Sequence, residues 1–230
     1  MVKPVRTINC ITCDKKVDCF EHLDVQQLEE ANGRRLEVSY KAGETICKQG
    51  SFASHILYLR KGLVRVFMEG KDKNMILSIV PDANFIGLTS LLGDNIFHYS
   101  ASAYEDCEVC LLDIKLFNHF IHQNAEFGAS VIESINLNTI KMFERIFSVS
   151  QKNIPGRFAD LILYLSEDIY KKKEFTFPFT RKELAELASM SIESLSRVLK
   201  DFNSDGMVEI KGKNIQIKNI DKLKMISING

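Results

Sequence analysis

Glu193, Ser196 and Arg197 stand at positions i, i+3 and i+4 of the segment 180–202, TRKELAELASMSIESLSRVLKDF. On a helix that spacing gathers all three on one face. An arginine can donate twice to guanine N7 and O6. A glutamate can accept from cytosine N4, and a small hydroxyl can sit beside a thymine methyl. The three residue types therefore suit reading base edges in a DNA major groove. A second constellation lies at the other end of the chain, where Cys10, Cys13 and Cys19 form C-x2-C-x5-C. Thiolates in such spacing hold iron–sulfur clusters or zinc. Metal-free thiols, inert or oxidisable, are the other reading. Cys10-x-x-Cys13 precedes the folded elements instead of sitting at a strand-to-helix turn, which argues against a thiol-redox enzyme.

The DNA-reading residues need a scaffold, and the flanking sequence supplies one. Thr180 and Glu183 form a capping box that starts a helix. Leu184, Leu187 and Ala188 face inward, Ala188-Ser189-Met190 makes a turn, and Ser191 caps a second helix. In that helix Leu195, Val198, Leu199 and Phe202 make the buried stripe, leaving Ile192, Glu193, Ser196, Arg197 and Lys200 outside. Two surface helices with a solvated charged face would show the same pattern. The downstream MVEIKGKNIQIKN, two alternating strands around Gly212, favours a helix-turn-helix with a β wing. Arg181, Lys182, Lys200, Lys211 and Lys213 are then placed for phosphates, which orient a module without reading sequence.

Upstream, LEVSY, ETICKQ, HILYLRKG, LVRVFMEG, NMILSIV and EVCLLDI read as short strands punctuated by glycines, an antiparallel sandwich or roll. A short helix is expected over 24–32, closed by Gly33. A long helix is expected from about Asn124 to Ser150. Within it Ile132, Ile135, Thr139, Met142, Ile146 and Val149 recur three and four apart, the seam of a coiled-coil homodimer. A helix packed on its own domain is the alternative. Asn153-Ile154-Pro155-Gly156 reads as a hinge. An amphipathic helix follows, RFADLILYLSEDIY, ended by the lysines at 171–173. The fold class is α+β, in four parts: a cysteine-rich segment 1–22, a β-roll 23–122, a dimerisation helix and hinge 123–152, and a winged helix 153–230.

The chain has 230 residues, 45% apolar and 26% charged, with no net charge. These are the values of an ordinary soluble protein. No apolar run reaches the roughly 18 residues that span a membrane, and no secretory signal opens the chain, so a cytoplasmic protein is expected. Six cysteines in a reducing compartment are thiols or metal ligands rather than disulfides. Charge is uneven: residues 151–230 carry 14 Lys+Arg against 11 Asp+Glu, and residues 1–150 carry 16 against 19. A mildly basic C-terminal part on an acidic body fits a DNA module. No convincing catalytic set is present.

A glycine-punctuated β-roll, a long helix and a winged helix together resemble the Crp/Fnr family of bacterial transcription regulators over nearly the whole chain. The E-x-x-S-R of Glu193, Ser196 and Arg197 is similar to the recognition helix of the Fnr branch. The resemblance implies a homodimer on palindromic double-stranded DNA with TTGA-type half-sites, contacting RNA polymerase. It also implies a cyclic-nucleotide-binding type of roll. In nucleotide-binding members a Gly-Glu pair meets the ribose and an Arg-Ser pair the phosphate. Here Gly87 is followed by Leu88, and His98, Tyr99 and Ser100 stand where Arg-Ser belongs, so cyclic AMP is not expected. Oxygen-sensing members carry a similar N-terminal cysteine spacing and a remote fourth cysteine. Cys110 is the better match and Cys107 the substitute, which implies a 4Fe–4S centre on Cys10, Cys13, Cys19 and Cys110. Zinc, no metal, or another small ligand or haem in the roll remain alternatives; His22, His55, His98, His119 and His122 are available, with no spacing that singles one out. Those sensors weaken their dimer seam with an acidic residue where Met142 stands here, so a dimer is expected without metal. Cys47 is expected to be a small buried apolar residue.

Overall fold

The computed structural model describes residues 9–16, 18–71, 74–91 and 93–230. The chain divides into two compact units, Met1–Thr139 and Ile140–Gly230.

Among the described residues the first unit has eight strands: β1 (Leu36–Tyr40), β2 (Thr45–Cys47), β3 (His55–Lys61), β4 (Leu63–Met68), β5 (Met75–Pro81), β6 (Asn84–Ile86), β7 (Ser100–Ala103) and β8 (Cys107–Asp113). They form two antiparallel four-stranded sheets, ordered β1-β8-β3-β6 and β2-β7-β4-β5. Every strand expected from alternation is present. Strands β6 and β7 were not expected from the sequence.

The sheet β1-β8-β3-β6 is buried on both faces. Successive side chains of a strand point to opposite sides. Leu57, Leu59, Cys107 and Val109 accordingly face the interior between the sheets, where they join Val64, Val66, Phe97 and Ala101. Ile56, Tyr58, Cys110 and Leu112 face the other way, against a second core. That core is made by α1 (Asp18–Glu21), α2 (Val25–Arg34), α3 (Ile114–Gln123) and the start of α4 (Ala125–Gln151). Phe20, Phe85, Phe117, Phe120 and Phe127 meet there with ring centroids 5.1–6.1 Å apart. Offset and edge-on ring contacts of this kind add to the area buried. They anchor the N-terminal end of α4 to the roll.

Two local readings are corrected. Gly33 does not close α2, which continues to Arg34 and is followed by Arg35 in an extended conformation. The helix begins on an unforeseen capping box of Asp24 and Gln27. The expected hinge at 153–156 is a helix start. Asn153 caps α5 (Ile154–Tyr164) by accepting from the Gly156 N–H at 2.9 Å, and Pro155 occupies the first turn. A proline there loses no helical hydrogen bond.

In the second unit α5 runs into a π turn over Leu165–Ile169. Then come β9 (Glu174–Thr176), α6 (Arg181–Leu187), α7 (Ile192–Ser204), the hairpin β10 (Val208–Lys211) and β11 (Asn214–Ile217), and α8 (Ile220–Asn229). β9 pairs with β11, so the wing is a three-stranded sheet. Helix α8 was not foreseen. Asp160 on α5 accepts from Ser148, Lys152 and Ser227, tying the end of α4 and α8 to α5. All six cysteines are free thiols.

Candidate nucleic-acid interface and thiol site

The helix pair forms as its caps and stripe dictate. Thr180 and Glu183 make the reciprocal capping box, and Ser191 caps α7 by accepting from the Ser194 N–H. Leu195, Val198, Leu199 and Phe202 are buried, and Phe202 meets Phe158 of α5 edge-on at 5.1 Å. The turn between the helices is tight: Ser189 adopts φ 50°, and its carbonyl accepts from the Arg157 guanidinium at 3.0 Å. Arg157 was not singled out in the sequence, because its partner lies 32 residues away.

With its apolar stripe inward, α7 leaves Glu193, Ser196, Arg197 and Lys200 exposed together. Glu193 sits in the first turn, where its own backbone N–H and the Ser191 side chain hold its carboxyl below the usual carboxylate range. It stays an ionised acceptor, as a cytosine amino group requires. The Ser196 hydroxyl donates to the Ile192 carbonyl at 2.9 Å and keeps its lone pairs free to accept. Arg181 and Lys182 are exposed at the start of α6. On the wing, Lys211 pairs with Glu209, which Lys218 also reaches at 2.8 Å. Hydrogen bonds from these two lysines push the Glu209 carboxyl down to about 2. Lys213 donates to the Pro178 carbonyl at 3.3 Å. The wing lysines are thus exposed but lightly held by their own chain.

The dimer-helix residues divide by exposure. Ile132, Thr139, Met142 and Ile146 are exposed, whereas Ile135 packs partly against the helical core and Val149 is half-buried. Ile140, Phe143 and Phe147 are exposed too, with Phe143 at 64% and Phe147 at 58%. At 100° per residue, Ile132, Thr139, Phe143, Ile146 and Phe147 centre one face. The two phenylalanines were missing from the seam read by spacing alone.

In the first unit the thiols gather on the helical side of the β1-β8-β3-β6 sheet. Cys10, Cys13 and Cys110 line one small cavity with Phe20, Arg35 and Tyr58. Cys19 is buried in the same core. Cys107 is three residues from Cys110 and so points into the roll, donating to the Glu105 carbonyl at 3.1 Å. Gly62, at φ 108°, lies directly over it; a Cβ there would come within 2.6 Å of its sulfur. Cys47 is also interior, as expected. Burial pushes the Cys19 thiol up to about 12 and Cys110 up to about 11, and raises Cys10, with Arg35 opposing the rise at Cys10 and Cys110.

Arg35 is the unforeseen member. It is 5% exposed, donates to the Cys110 sulfur at 3.3 Å and to Asn32 Oδ1 at 3.2 Å, and pairs with Glu37 at 2.6 Å. The Cys10 N–H donates to the same Asn32 oxygen at 3.1 Å, and Tyr58 donates to the Lys15 carbonyl. These bonds pin the cysteine segment to the sheet. The donor set suits a soft metal centre in kind: sulfur ligands beside a fixed cation. It is gathered rather than drawn into a coordination shell. Among the described residues no three His, Cys, Asp or Glu are arranged to hold a metal, and the cavity, about 30 Å³, has room for about one or two waters.

The roll interior holds a buried apolar cluster. Phe97 and Tyr99 pack into it, and a Cβ on Gly87 would lie 2.9 Å from the Phe97 ring. The Gly87 N–H donates to Tyr99 Oη at 2.7 Å, and Ser100 donates to Glu69 at 2.5 Å. The Gly87 N–H, the Tyr99 oxygen and the Ser100 hydroxyl thus find partners within the chain. Among the described residues no helix is long and apolar enough to cross a membrane.

Residues 156–226 match the Crp-like helix-turn-helix domain, and residues 37–124 match the cyclic nucleotide-binding domain. The chain is 22% identical to the transcriptional activator protein FnrA of Stutzerimonas stutzeri, over 100% of this chain and 96% of that protein. It is 22% identical to electron transport regulator A of Shewanella oneidensis, over 96% and 91%. Among solved structures, FixK2 from Bradyrhizobium japonicum superposes with a TM-score of 0.77 at 17% identity, over 84% of this chain and 96% of that one.

Proposed function

The chain belongs to the Crp/Fnr family of transcription regulators, and we propose that it acts in the cytoplasm as a homodimer on palindromic DNA with TTGA-type half-sites, controlled by a cysteine-ligated iron–sulfur centre. The observation that carries the DNA reading is the exposed Glu193–Ser196–Arg197 face of α7, held outward by a fully buried stripe. Arg197 and Glu193 read bases, and Ser196 lies against a thymine methyl. Arg181, Lys182, Lys200, Lys211 and Lys213 meet phosphates. The exposed apolar face of α4 pairs two copies, and a bound dimer presents a surface to RNA polymerase.

The sensing reading is supported by the gathering of Cys10, Cys13, Cys19 and Cys110 on one side of the sheet and by two full-length relatives named FnrA and electron transport regulator A. When bound, an iron–sulfur centre supplies a redox-sensitive link between four thiolates. This chain's residues would supply the sulfur donors. Cyclic AMP is not the expected signal, because Leu88 and His98-Tyr99-Ser100 stand where the ribose and phosphate partners belong.

Two measurements test the proposal. Fluorescence anisotropy should give at least a roughly hundredfold preference for a TTGA palindrome over a scrambled duplex at fixed salt; equal affinity would refute the base-reading assignment. Anaerobic reconstitution should yield coloured protein with iron and sulfide, and a Cys13→Ser variant should yield neither. Colourless, iron-free wild-type protein would remove the cluster.

A further inference from the structure

We propose that Arg157 is a positioning residue for base reading: by holding the Ser189 carbonyl it fixes the turn that aims α7, and with it Glu193, Ser196 and Arg197. This rests on the reading of α7 as the recognition helix. Arg157 acts through the turn and not on the DNA.

The turn is one that its own residues do not favour. At the end of α6 the Met190 N–H donates to the Ala185 carbonyl at 2.9 Å, and the Ser189 N–H donates to the Glu186 carbonyl at 3.1 Å. This pair of bonds closes a helix with one residue in the left-handed region, a place that glycine usually takes. Here it is Ser189, at φ 50°. A side chain disfavours that backbone, so the turn needs support from outside itself.

Arg157 supplies the support from α5, donating to the Ser189 carbonyl at 3.0 Å. Among the described residues its Nε is buried with no partner. A side chain kept for packing alone gains nothing from a buried, unpaired donor. The next residue, Phe158, is buried and meets Phe202 edge-on. Two consecutive residues of α5 therefore hold α7 at two points. Phe158 holds it near its C-terminal end, and Arg157 holds the turn just before Ser191, its N-cap. Glu193, Ser196 and Arg197 lie between the two points.

Two consequences separate this role from a bond that only stabilises the fold. Base contacts depend on alignment, whereas phosphate contacts carry no sequence information. Freeing the turn should therefore weaken specific binding and spare non-specific binding. A glycine at position 189 takes the left-handed region freely, so Arg157 should matter less in its presence.

The test is fluorescence anisotropy at fixed salt on a TTGA palindrome and a scrambled duplex, with wild type, Arg157→Met, Ser189→Gly and the double variant. Circular dichroism and urea unfolding establish that each is folded. Arg157→Met should bind the palindrome about tenfold more weakly and the scrambled duplex within about threefold of wild type. In the Ser189→Gly background the same substitution should weaken palindrome binding by about threefold or less. An equal change on both duplexes, or no change on either, overturns the proposal and leaves base reading intact. An equal loss of palindrome binding in the two backgrounds also overturns it, because the effect would not pass through the Ser189 turn. If Arg157→Met does not fold, Arg157→Gln is judged by the same criteria. Wild-type protein with no preference for the palindrome overturns the base-reading assignment and this proposal together.

Discussion

Truncating Phe143 to alanine separates the pairing face proposed for α4 from the seam that spacing alone suggests. Phe143 is 64% exposed in the single chain. Burying a whole phenylalanine side chain is worth about 1.5–3 kcal/mol, so covering the exposed part is worth about 1–2 kcal/mol per copy. A two-fold dimer buries the residue twice, which brings the loss to about 2–4 kcal/mol, or a dimer dissociation constant weakened about 30- to 1000-fold. Met142 lies at the margin of the same face and is 45% exposed; Met142→Ala should cost less than about tenfold. Ile135 packs partly on the helical core, so Ile135→Ala should lower the stability of the roll more than it weakens dimerisation. Sedimentation equilibrium on metal-free protein measures all three. Phe143→Ala within about threefold of wild type, or a larger loss from Met142→Ala, would show that the pairing face has been placed wrongly. A metal-free protein that is monomeric throughout would contradict the expectation of a stable apo dimer.

Two further outcomes are expected. Arg197→Ala should cost about 1–3 kcal/mol on the specific site and relax discrimination at one base pair; competition assays with single-substituted duplexes measure this, and an equal loss on specific and scrambled DNA would count against it. Alkaline pH should destabilise the roll. Burial pushes the Cys47 thiol up to about 12 from 9.0 and the Tyr99 hydroxyl up to about 12 from 10.0. Below about pH 9 both states hold these protons. As pH rises the unfolded chain releases them first, so stability is lost progressively from about pH 9 through about 12. Urea midpoints across that range should fall less steeply in Cys47→Ala/Tyr99→Phe than in wild type, and identical slopes would contradict the assignment.

Local chemistry makes the DNA-reading module legible in the residue order alone. The Thr180–Glu183 box, the Ser191 cap and the stripe at Leu195, Val198, Leu199 and Phe202 are all contained within about two dozen residues. Caps and helical periodicity act over one or two turns, so the residue order specifies them directly. Six strands of the roll are legible for the same reason. Gly33 misleads because a glycine near a helix end invites a left-handed cap, yet α2 ends by extension at Arg35. Pro155 and Gly156 look like a hinge because both break helices in the interior, whereas at a first turn neither interrupts a hydrogen bond.

The sequence by itself determined that α7 offers Glu193, Ser196 and Arg197 to a partner, because three- and four-residue spacing leaves a helix no choice of face. Cys107 and Cys110 both fall on β8 only in the folded chain, where a separation of three points them to opposite sides of the strand. Only the tertiary structure decided which side mattered. Packing α2, α3 and the cysteine segment on one face of the sheet put Cys110 beside Cys10 and Cys13 and sent Cys107 into the roll. The same packing turned Ile135 inward and carried Arg35 to a sulfur 75 residues away. Contacts over such separations depend on how elements stack, and no local pattern encodes them.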